Sequence, residues 1–146
     1  MVEHRTENPE VAGSRPAPGT IAPLYLYALL RADLAIPPGK AATQAGHAFL
    51  ESVLVAPPER QARYRADGLE TKIALILPLG ARLESLITAL RAAGLPAALV
   101  VDHGHVLLPY FTGAPMATAI GVETITAAET PGWIRRRRPF VREGAQ

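Results

Sequence analysis

The sequence predicts an α/β fold, a single domain with a mixed, mainly parallel four- to five-stranded β-sheet and helices on both faces. Two observations lead to this prediction. Short apolar runs of strand length alternate with stretches whose apolar residues recur at helical spacing, and such alternation places helices over a mainly parallel sheet. The length of 146 residues fits one compact domain that buries its own core.

The first strand and the first helix are marked by clear boundaries. Leu24–Leu30 is almost wholly apolar, as in a strand buried on both faces, and a loop follows at Pro37 and Pro38. A helix is predicted from Gly39 to about Ala56, where Pro57 and Pro58 stop it. Its small and apolar residues share one face: Ala41, Ala45, Ala48, Phe49 and Ser52.

The middle of the chain repeats the pattern. Residues 59–67 predict a short helix that ends at Gly68, and Lys72–Leu77 predicts a second strand. Residues 81–93 predict an amphipathic helix with Gly94 as its left-handed cap, and Ala97–Val101 predicts a third strand.

The segment that follows is less regular. Val106–Leu108 and Met116–Val122 predict a further, antiparallel strand, and Thr112–Gly113 marks a turn. We expect residues 1–20 to form a flexible leader, because they are polar and lack an apolar period. Residues 21–125 are the predicted domain, and residues 126–146 are a basic C-terminal tail.

Composition excludes several classes of protein. The absence of cysteine excludes disulfides, thiolate nucleophiles and zinc ribbons. No apolar run is long enough for a membrane span and no signal peptide is visible, so we expect a soluble, cytoplasmic protein. The formal net charge is only +2, yet basic residues cluster in one block, which is either a solvated tail or a set of phosphate contacts: Arg135, Arg136, Arg137 and Arg138.

A polar stripe on the first predicted helix is the first candidate site. Lys40, Gln44, His47 and Glu51 follow one another at spacings of 4, 3 and 4, which stack their side chains on one face. The stripe is either an ordinary solvent face or an anion site, because a lysine near a helix start suits a phosphate or an oxyanion.

The second candidate site is the turn Asp102-His103-Gly104-His105. Asp102 ends the third strand, and sites in α/β sheets lie beyond the carboxyl ends of strands. We therefore expect the turn to meet Lys40 at one sheet edge, although Asp102 could simply cap the turn. Of the four histidines, His47, His103 and His105 lack a zinc-binding spacing, and no phosphate loop, dinucleotide fingerprint or serine elbow is present, so no metal or cofactor is predicted.

These residues also resemble a known family. Leu30–Leu34, the run Gly39–Ala48, the strand from Lys72, Gly94-Leu95-Pro96, Val101–Gly104 and Ala119–Gly121 resemble, in order and spacing, the second type of peptidyl-tRNA hydrolase. The resemblance covers roughly residues 24–121. It implies a small α/β domain, usually a homodimer, with tRNA as its partner. The implied activity is metal-independent cleavage of the ester between a peptide, or an N-blocked amino acid, and the 3′ ribose of tRNA.

The resemblance assigns roles to residues of this chain. Lys40 and Asp102 match the active centre of the family, and Gln44 and His47 match its signature. On this basis Lys40 holds a phosphate or stabilises the oxyanion, Asp102 orients the attacking water, and Gln44 positions either partner. We expect substrate contacts from His47, Arg31, Gly104 and the block Arg135–Arg138.

The chain also departs from the family pattern. Val106 stands where the family has a threonine, and Ala114 stands where a second hydroxyl residue is expected, so activity is expected to be weakened. His105 replaces a basic residue of the family and offers a catalytic acid or base. Two alternatives keep the fold without the chemistry: an RNA-binding module that grips phosphates through its arginines, and a module that docks a polypeptide through the sheet edge and Trp133.

Overall fold

The computed structural model describes residues 22–34, 36–67, 71–137 and 139, so the leader predicted at residues 1–20 lies outside the described residues. The described elements follow in this order: β1 (Leu24–Leu30), α1 (Pro38–Val55), α2 (Pro58–Asp67), β2 (Thr71–Ile76), α3 (Leu83–Ala92), β3 (Ala97–Asp102), β4 (Val106–Leu107), β5 (Phe111–Thr112), β6 (Met116–Thr126) and α4 (Gly132–Arg135). The predicted α/β class is confirmed. The three long helices and first three strands lie within a few residues of their predicted bounds.

The main sheet has four strands in the order β2-β1-β6-β3. β1 and β2 pair in parallel, whereas β6 pairs antiparallel with both β1 and β3. Three strands therefore run in one direction, and the predicted antiparallel strand lies between two of them. β4 and β5 form a separate two-stranded hairpin.

Helices cover both faces of the sheet, and the side chains of β1 alternate between them. Tyr27 and Leu29 belong to the core cluster that contains Leu83, Ile87 and Leu90 of α3. Ala28 and Leu30 belong to a second cluster with small residues of α1. This double burial explains why β1 reads as a continuous apolar run rather than as an alternating one.

On the second face of the sheet, α1 lies close to the strands because small residues meet there. A Cβ atom on Gly121 of β6 would lie 2.0 Å from the carbonyl oxygen of Ala48 and 3.2 Å from Cβ of Ser52. No real side chain tolerates such a distance from a backbone carbonyl. Glycine at this position therefore lets α1 rest directly on β6, which brings the polar stripe of α1 to the sheet.

The segment after the sheet packs against the first core cluster. Ile134 of α4 is fully buried, and Trp133 packs beside it. Arg135 and Arg136 are exposed, whereas the guanidinium of Arg137 lies 5.9 Å from the centre of the Trp133 ring. The arginine block predicted from the sequence thus begins on a short helix that the core anchors.

Candidate active site

Four polar side chains form a connected network where α1, β3 and β6 meet. The ammonium of Lys40 donates to Oδ2 of Asp102 and forms an ion pair with it. Nε2 of Gln44 donates to the same oxygen at 2.9 Å. The hydroxyl of Thr118 donates to Oε1 of Gln44 at 2.6 Å, so the carboxylate is held by a cation and by a fixed amide.

The elements place these residues for identifiable reasons. Pro38 occupies the first turn of α1, where a missing N–H costs nothing, and Lys40 follows within that turn. Asp102 is the last residue of β3. Val100 of β3 pairs with Ala119 of β6, and Val101 pairs with Ala117. Thr118 of β6 is therefore an extra residue in a bulge. Such bulges re-aim a side chain, here the Thr118 hydroxyl toward α1.

The network is largely withdrawn from water. Gln44 and Thr118 are 3% and 2% exposed, and the side chains of Lys40 and Asp102 are 15% and 10% exposed. Buried polar groups of this kind are costly unless they are paired, and each one here has a partner. The network is therefore already formed in the free protein. The buried residues Gln44 and Thr118 fix the position of Asp102, which pairs with Lys40.

The outer pair opens into a cleft of about 530 Å³ between α1 and β3. From α1 the cleft is lined by Lys40, Thr43, Gln44, His47 and Glu51, and from β3 by residues 99–103. The polar stripe of α1 thus faces the end and the edge of β3, and it is not an ordinary solvent face. The expectation that Lys40 and Asp102 meet is correct.

Comparison with known proteins identifies relatives of this chain. A family model, Peptidyl-tRNA hydrolase PTH2, matches residues 24–128. A curated protein from Pyrobaculum aerophilum, named peptidyl-tRNA hydrolase, is 40% identical over 96 residues, which cover 63% of this chain and 78% of the relative.

The chain belongs to the PTH2 family. Membership identifies it as a hydrolase with a peptidyl-tRNA hydrolase-like function, and the resemblance read from the sequence is confirmed. Within the part of the chain that the structure describes, no helix is long and apolar enough to cross a membrane.

Aromatic rings pack beside the ammonium of Lys40 in this PTH2 site. Nζ of Lys40 lies 4.8 Å from the centre of the Phe111 ring, and Phe111 is 1% exposed. The ring of His105 meets Phe111 edge-on, with ring centres 5.1 Å apart. Phe111 lies in the short hairpin after Asp102, so the hairpin holds the ammonium in place by a cation–π contact.

Other residues predicted to act in this PTH2 member lie outside the cleft lining. His105 packs on Phe111, and its Nε2 is buried without a hydrogen-bond partner among the described residues. Arg31 pairs with Asp33 and donates to the carbonyl of Ala117 at 3.0 Å, which makes it a support for the site strand. The role of His105 as an acid or base stays a prediction.

Gly104 and the arginine block are the remaining residues that the sequence assigned to the substrate. Gly104 has a φ of +73°, and its N–H donates to the carbonyl of Gly113, which closes the hairpin. Its turn geometry requires glycine. Arg135, Arg136 and Arg137 do not line the cleft. Arg138 lies outside the described residues.

Sequence reasoning missed Thr118 and Phe111. It assigned the second hydroxyl of the family to the position of Ala114, which is exposed in the turn before β6. The hydroxyl that enters this PTH2 site comes from Thr118, four residues further on, and no periodic pattern of the sequence singles this threonine out. Val106 is 63% exposed on β4 and carries no hydroxyl to the cleft.

A second charged cluster lies at the far end of β6. Arg60 of α2 forms a bidentate pair with Glu129, and together with hydrogen bonds from Thr126 this lowers the pKa of Glu129 to about 2. Glu123 is 2% exposed, and its burial raises the pKa of its carboxyl. Among the described residues no group of three or more His, Asp and Glu side chains is placed to hold a metal ion.

Proposed function

We propose that this chain hydrolyses the ester between a peptide, or an N-blocked amino acid, and the 3′ ribose of tRNA, with Lys40 and Asp102 as its catalytic residues. The observation that carries the proposal is the network Lys40–Asp102–Gln44–Thr118 at the mouth of a cleft. Family membership supports the reaction class. The network supports the assignment of roles.

Asp102 is suited to activating water. Both of its contacts among the described residues fall on Oδ2, which leaves Oδ1 of the same carboxylate for a water molecule in the cleft. Gln44 fixes the plane of the carboxylate, because its own amide is held by Thr118. A base held in this way abstracts a proton without first having to reorient.

Lys40 is suited to the charge that develops on the substrate. The water oxygen bonds to the acyl carbon while its proton moves to Asp102, and the carbonyl oxygen becomes an oxyanion. The ammonium, which has three N–H donors, uses one on Asp102 and can offer another to this oxyanion. Collapse of the intermediate breaks the acyl–oxygen bond, and the 3′ oxygen of the ribose leaves with the proton that Asp102 returns.

The test uses N-acetyl-aminoacyl-tRNA and measures release of the acyl group. We expect Lys40→Ala and Asp102→Asn each to lower kcat/KM by about 100-fold or more, because each removes transition-state stabilisation or the base. Lys72→Ala is the matched control, since Lys72 lies on β2, exposed and outside the cleft. Folded wild-type protein that releases no acyl group above the buffer rate would contradict the proposed function.

We propose that Arg135 and Arg136 contact phosphates of the tRNA, and that His47 contacts the substrate within the cleft. The two arginines are exposed on α4 and are not needed for its packing, which depends on Ile134. Replacing both arginines by glutamine is expected to reduce the slope of log affinity against log salt concentration by about 1 to 2. An unchanged slope in a filter-binding titration would remove these residues from the tRNA contact.

We also propose that the chain acts as a homodimer in the cytoplasm, the compartment of translation. The implied dimer of the family has a candidate surface in Leu50 and Leu54, which are 57% and 58% exposed on α1. Sedimentation of the wild type against Leu50→Glu tests it, and a wild type that sediments as a monomer at every concentration would contradict it.

A further inference from the structure

Within the described part of the chain, the side of β3 that faces away from β6 is an unpaired strand edge. In the four-stranded sheet β3 is terminal, and no described strand pairs with its outer side. At the opposite end of the sheet, β2 is partly covered by a bridge between Leu75 and Pro139. The outer edge of β3 instead opens into the cleft, which is lined by the consecutive residues 99–103.

The hydrogen bonds of β3 show which backbone groups point outward. The carbonyl of Pro96 accepts from the Glu123 N–H of β6, and by alternation the pairs Ala98–Gly121 and Val100–Ala119 are the next ones bonded to β6. The carbonyl of Ala97 instead accepts from Arg91 of α3 at 2.9 Å. Successive residues alternate in a strand, so the N–H and C=O groups of Leu99 and Val101 face the cleft.

We propose that this edge binds the peptidyl part of the substrate, which adds to β3 as an extended, parallel strand. The inference rests on the proposed function, which places the ester at Asp102, the carboxyl end of β3. The peptide is esterified through its own C-terminus. Its preceding residues therefore run back along β3 in the direction of Leu99, with both chains pointing the same way.

The dimensions of the cleft agree with a short peptide. From Asp102 back to Leu99 the edge spans about 10 Å, the length of three extended residues. Along the opposite wall, α1 carries lining residues from Lys40 to Glu51, which is about 16 Å. The cleft thus accepts three to five residues of an extended chain.

The charges of the cleft favour a peptide over the 3′ strand of the tRNA. Lys40 is paired with Asp102, and apart from the histidines His47 and His103 the other ionisable side chain of the lining is the carboxylate of Glu51. A phosphodiester chain would approach this carboxylate unfavourably, whereas a neutral peptide backbone would not. Main-chain hydrogen bonds also accept any peptide sequence, since they do not depend on side chains.

The first experiment varies the substrate and keeps the protein unchanged. N-acetyl-tetrapeptidyl-tRNA substrates carry a single backbone N-methyl group at each position in turn. In an added strand alternate N–H groups face the edge, so kcat/KM should fall about fivefold at alternate positions and little at the others. N-methylation without effect at any position, or with an equal effect at every position, would overturn the proposal.

The second experiment compares two variants of one residue. Val101→Pro removes an outward N–H and leaves the pairing with β6 intact, whereas Val101→Ala trims the side chain and keeps the N–H. The quantity measured is the ratio of kcat/KM for tetrapeptidyl-tRNA to that for N-acetyl-aminoacyl-tRNA. We expect the ratio to fall about fivefold in Val101→Pro and to persist in Val101→Ala, with thermal unfolding as the check on folding.

The results separate the two proposals. Loss of all acyl release in the wild type contradicts the proposed function itself. A different result contradicts only the proposal that the peptide adds to β3. In that case acyl release is normal, the ratio of kcat/KM values is the same in Val101→Pro and Val101→Ala, and N-methylation has the same effect at every position. A cleft that binds the 3′ strand instead would give that uniform effect of N-methylation together with a rate that depends on the terminal nucleotides of the tRNA.

Discussion

At the scale of single residues, the informative contact is the one between Thr118 and Gln44. The amide of Gln44 has two chemically different ends, and the carboxylate of Asp102, which only accepts hydrogen bonds, takes the NH₂ end. The hydroxyl of Thr118 then donates to the oxygen end and holds the amide in this orientation. Thr118 therefore acts on the carboxylate through another side chain and is a positioning residue.

Removing this hydroxyl should alter both activity and stability. In Thr118→Val the buried Oε1 of Gln44 loses its donor, so we expect a loss of about 1 to 2 kcal/mol in the free energy of unfolding and a fall of about tenfold in kcat with little change in KM. Thr118→Ser keeps the donor and should retain most of the rate. Equal rates in the valine and serine variants would show that the hydroxyl has no positioning role.

The sequence predicted much of the site at this scale, but only where spacing carried the signal. Lys40, Gln44 and His47 share a helical stripe, and Asp102 follows a strand, so both segments could be placed at one sheet edge. Thr118 and Phe111 could not be found in this way. Thr118 reaches the site through a bulge in β6, and Phe111 through a hairpin, and neither feature has a periodic signature.

At the scale of elements, α1 can reach the sheet because Gly121 has no side chain. The stripe of α1 and the bulge of β6 meet only when the two backbones are this close. Gly46, on the same helix, has nothing within 4 Å of the position a Cβ would take. The two glycines therefore make a matched pair for testing the contact.

The two alanine substitutions should have effects of opposite sign. Gly121→Ala forces the backbone of α1 away from β6 and should cost about 3 kcal/mol or more in unfolding free energy, together with activity. Gly46→Ala should stabilise the protein by about 0.5 to 1 kcal/mol through helix propensity. Denaturant unfolding measures both, and a neutral Gly121→Ala would mean that the helix does not rest on the strand as described.

Helices and buried strands were predictable as elements, whereas of the short hairpin only the Val106–Leu108 strand and the Thr112–Gly113 turn were predicted. The three long helices and β1, β2 and β3 follow strong apolar periods. β4 and β5 are two residues each, too short for any alternation to be visible. The Thr112–Gly113 turn was expected, and Gly113 indeed adopts a φ of +91° directly after β5.

At the scale of the whole molecule, two carboxyls near α2 give the stability an opposed dependence on pH. The pKa of Glu123 is raised by burial, so its contribution is present below pH 4.5 and is lost as the pH rises through the raised value. The pKa of Glu129 is lowered to about 2 by Arg60, so its contribution is present above pH 4.5 and is lost as the pH falls toward 2.

Glutamine variants should separate the two effects. Glu123→Gln is expected to be more stable than the wild type at pH 7, and the difference should shrink as the pH falls through the raised pKa of Glu123 and be lost below pH 4.5. Glu129→Gln should be less stable by about 1 kcal/mol at pH 7, after allowance for solvent screening, with the difference vanishing near pH 2. Unfolding midpoints at pH 7, pH 4 and pH 2 provide the measurement, and a destabilised Glu123→Gln at pH 7 would contradict the assignment.

The sequence also predicted the class of the whole fold, but not the order of its strands. An α/β alternation fixes helices over a sheet with parallel strands. It does not state that the last strand inserts between the first and the third, since this depends on long-range packing of Gly121 and its neighbours against α1.

The insertion of β6 between β1 and β3 has a consequence for synthesis on the ribosome. Until residues 116–126 emerge, β3 has no partner in the sheet and Asp102 has no Thr118-held amide beside it. In a nascent chain that ends before this strand, the backbone groups of β1 and β3 that pair with β6 have no partner. A member of a family named for freeing tRNA from peptides thus completes the Asp102–Gln44–Thr118 contacts only after residue 118 of its own chain has been translated.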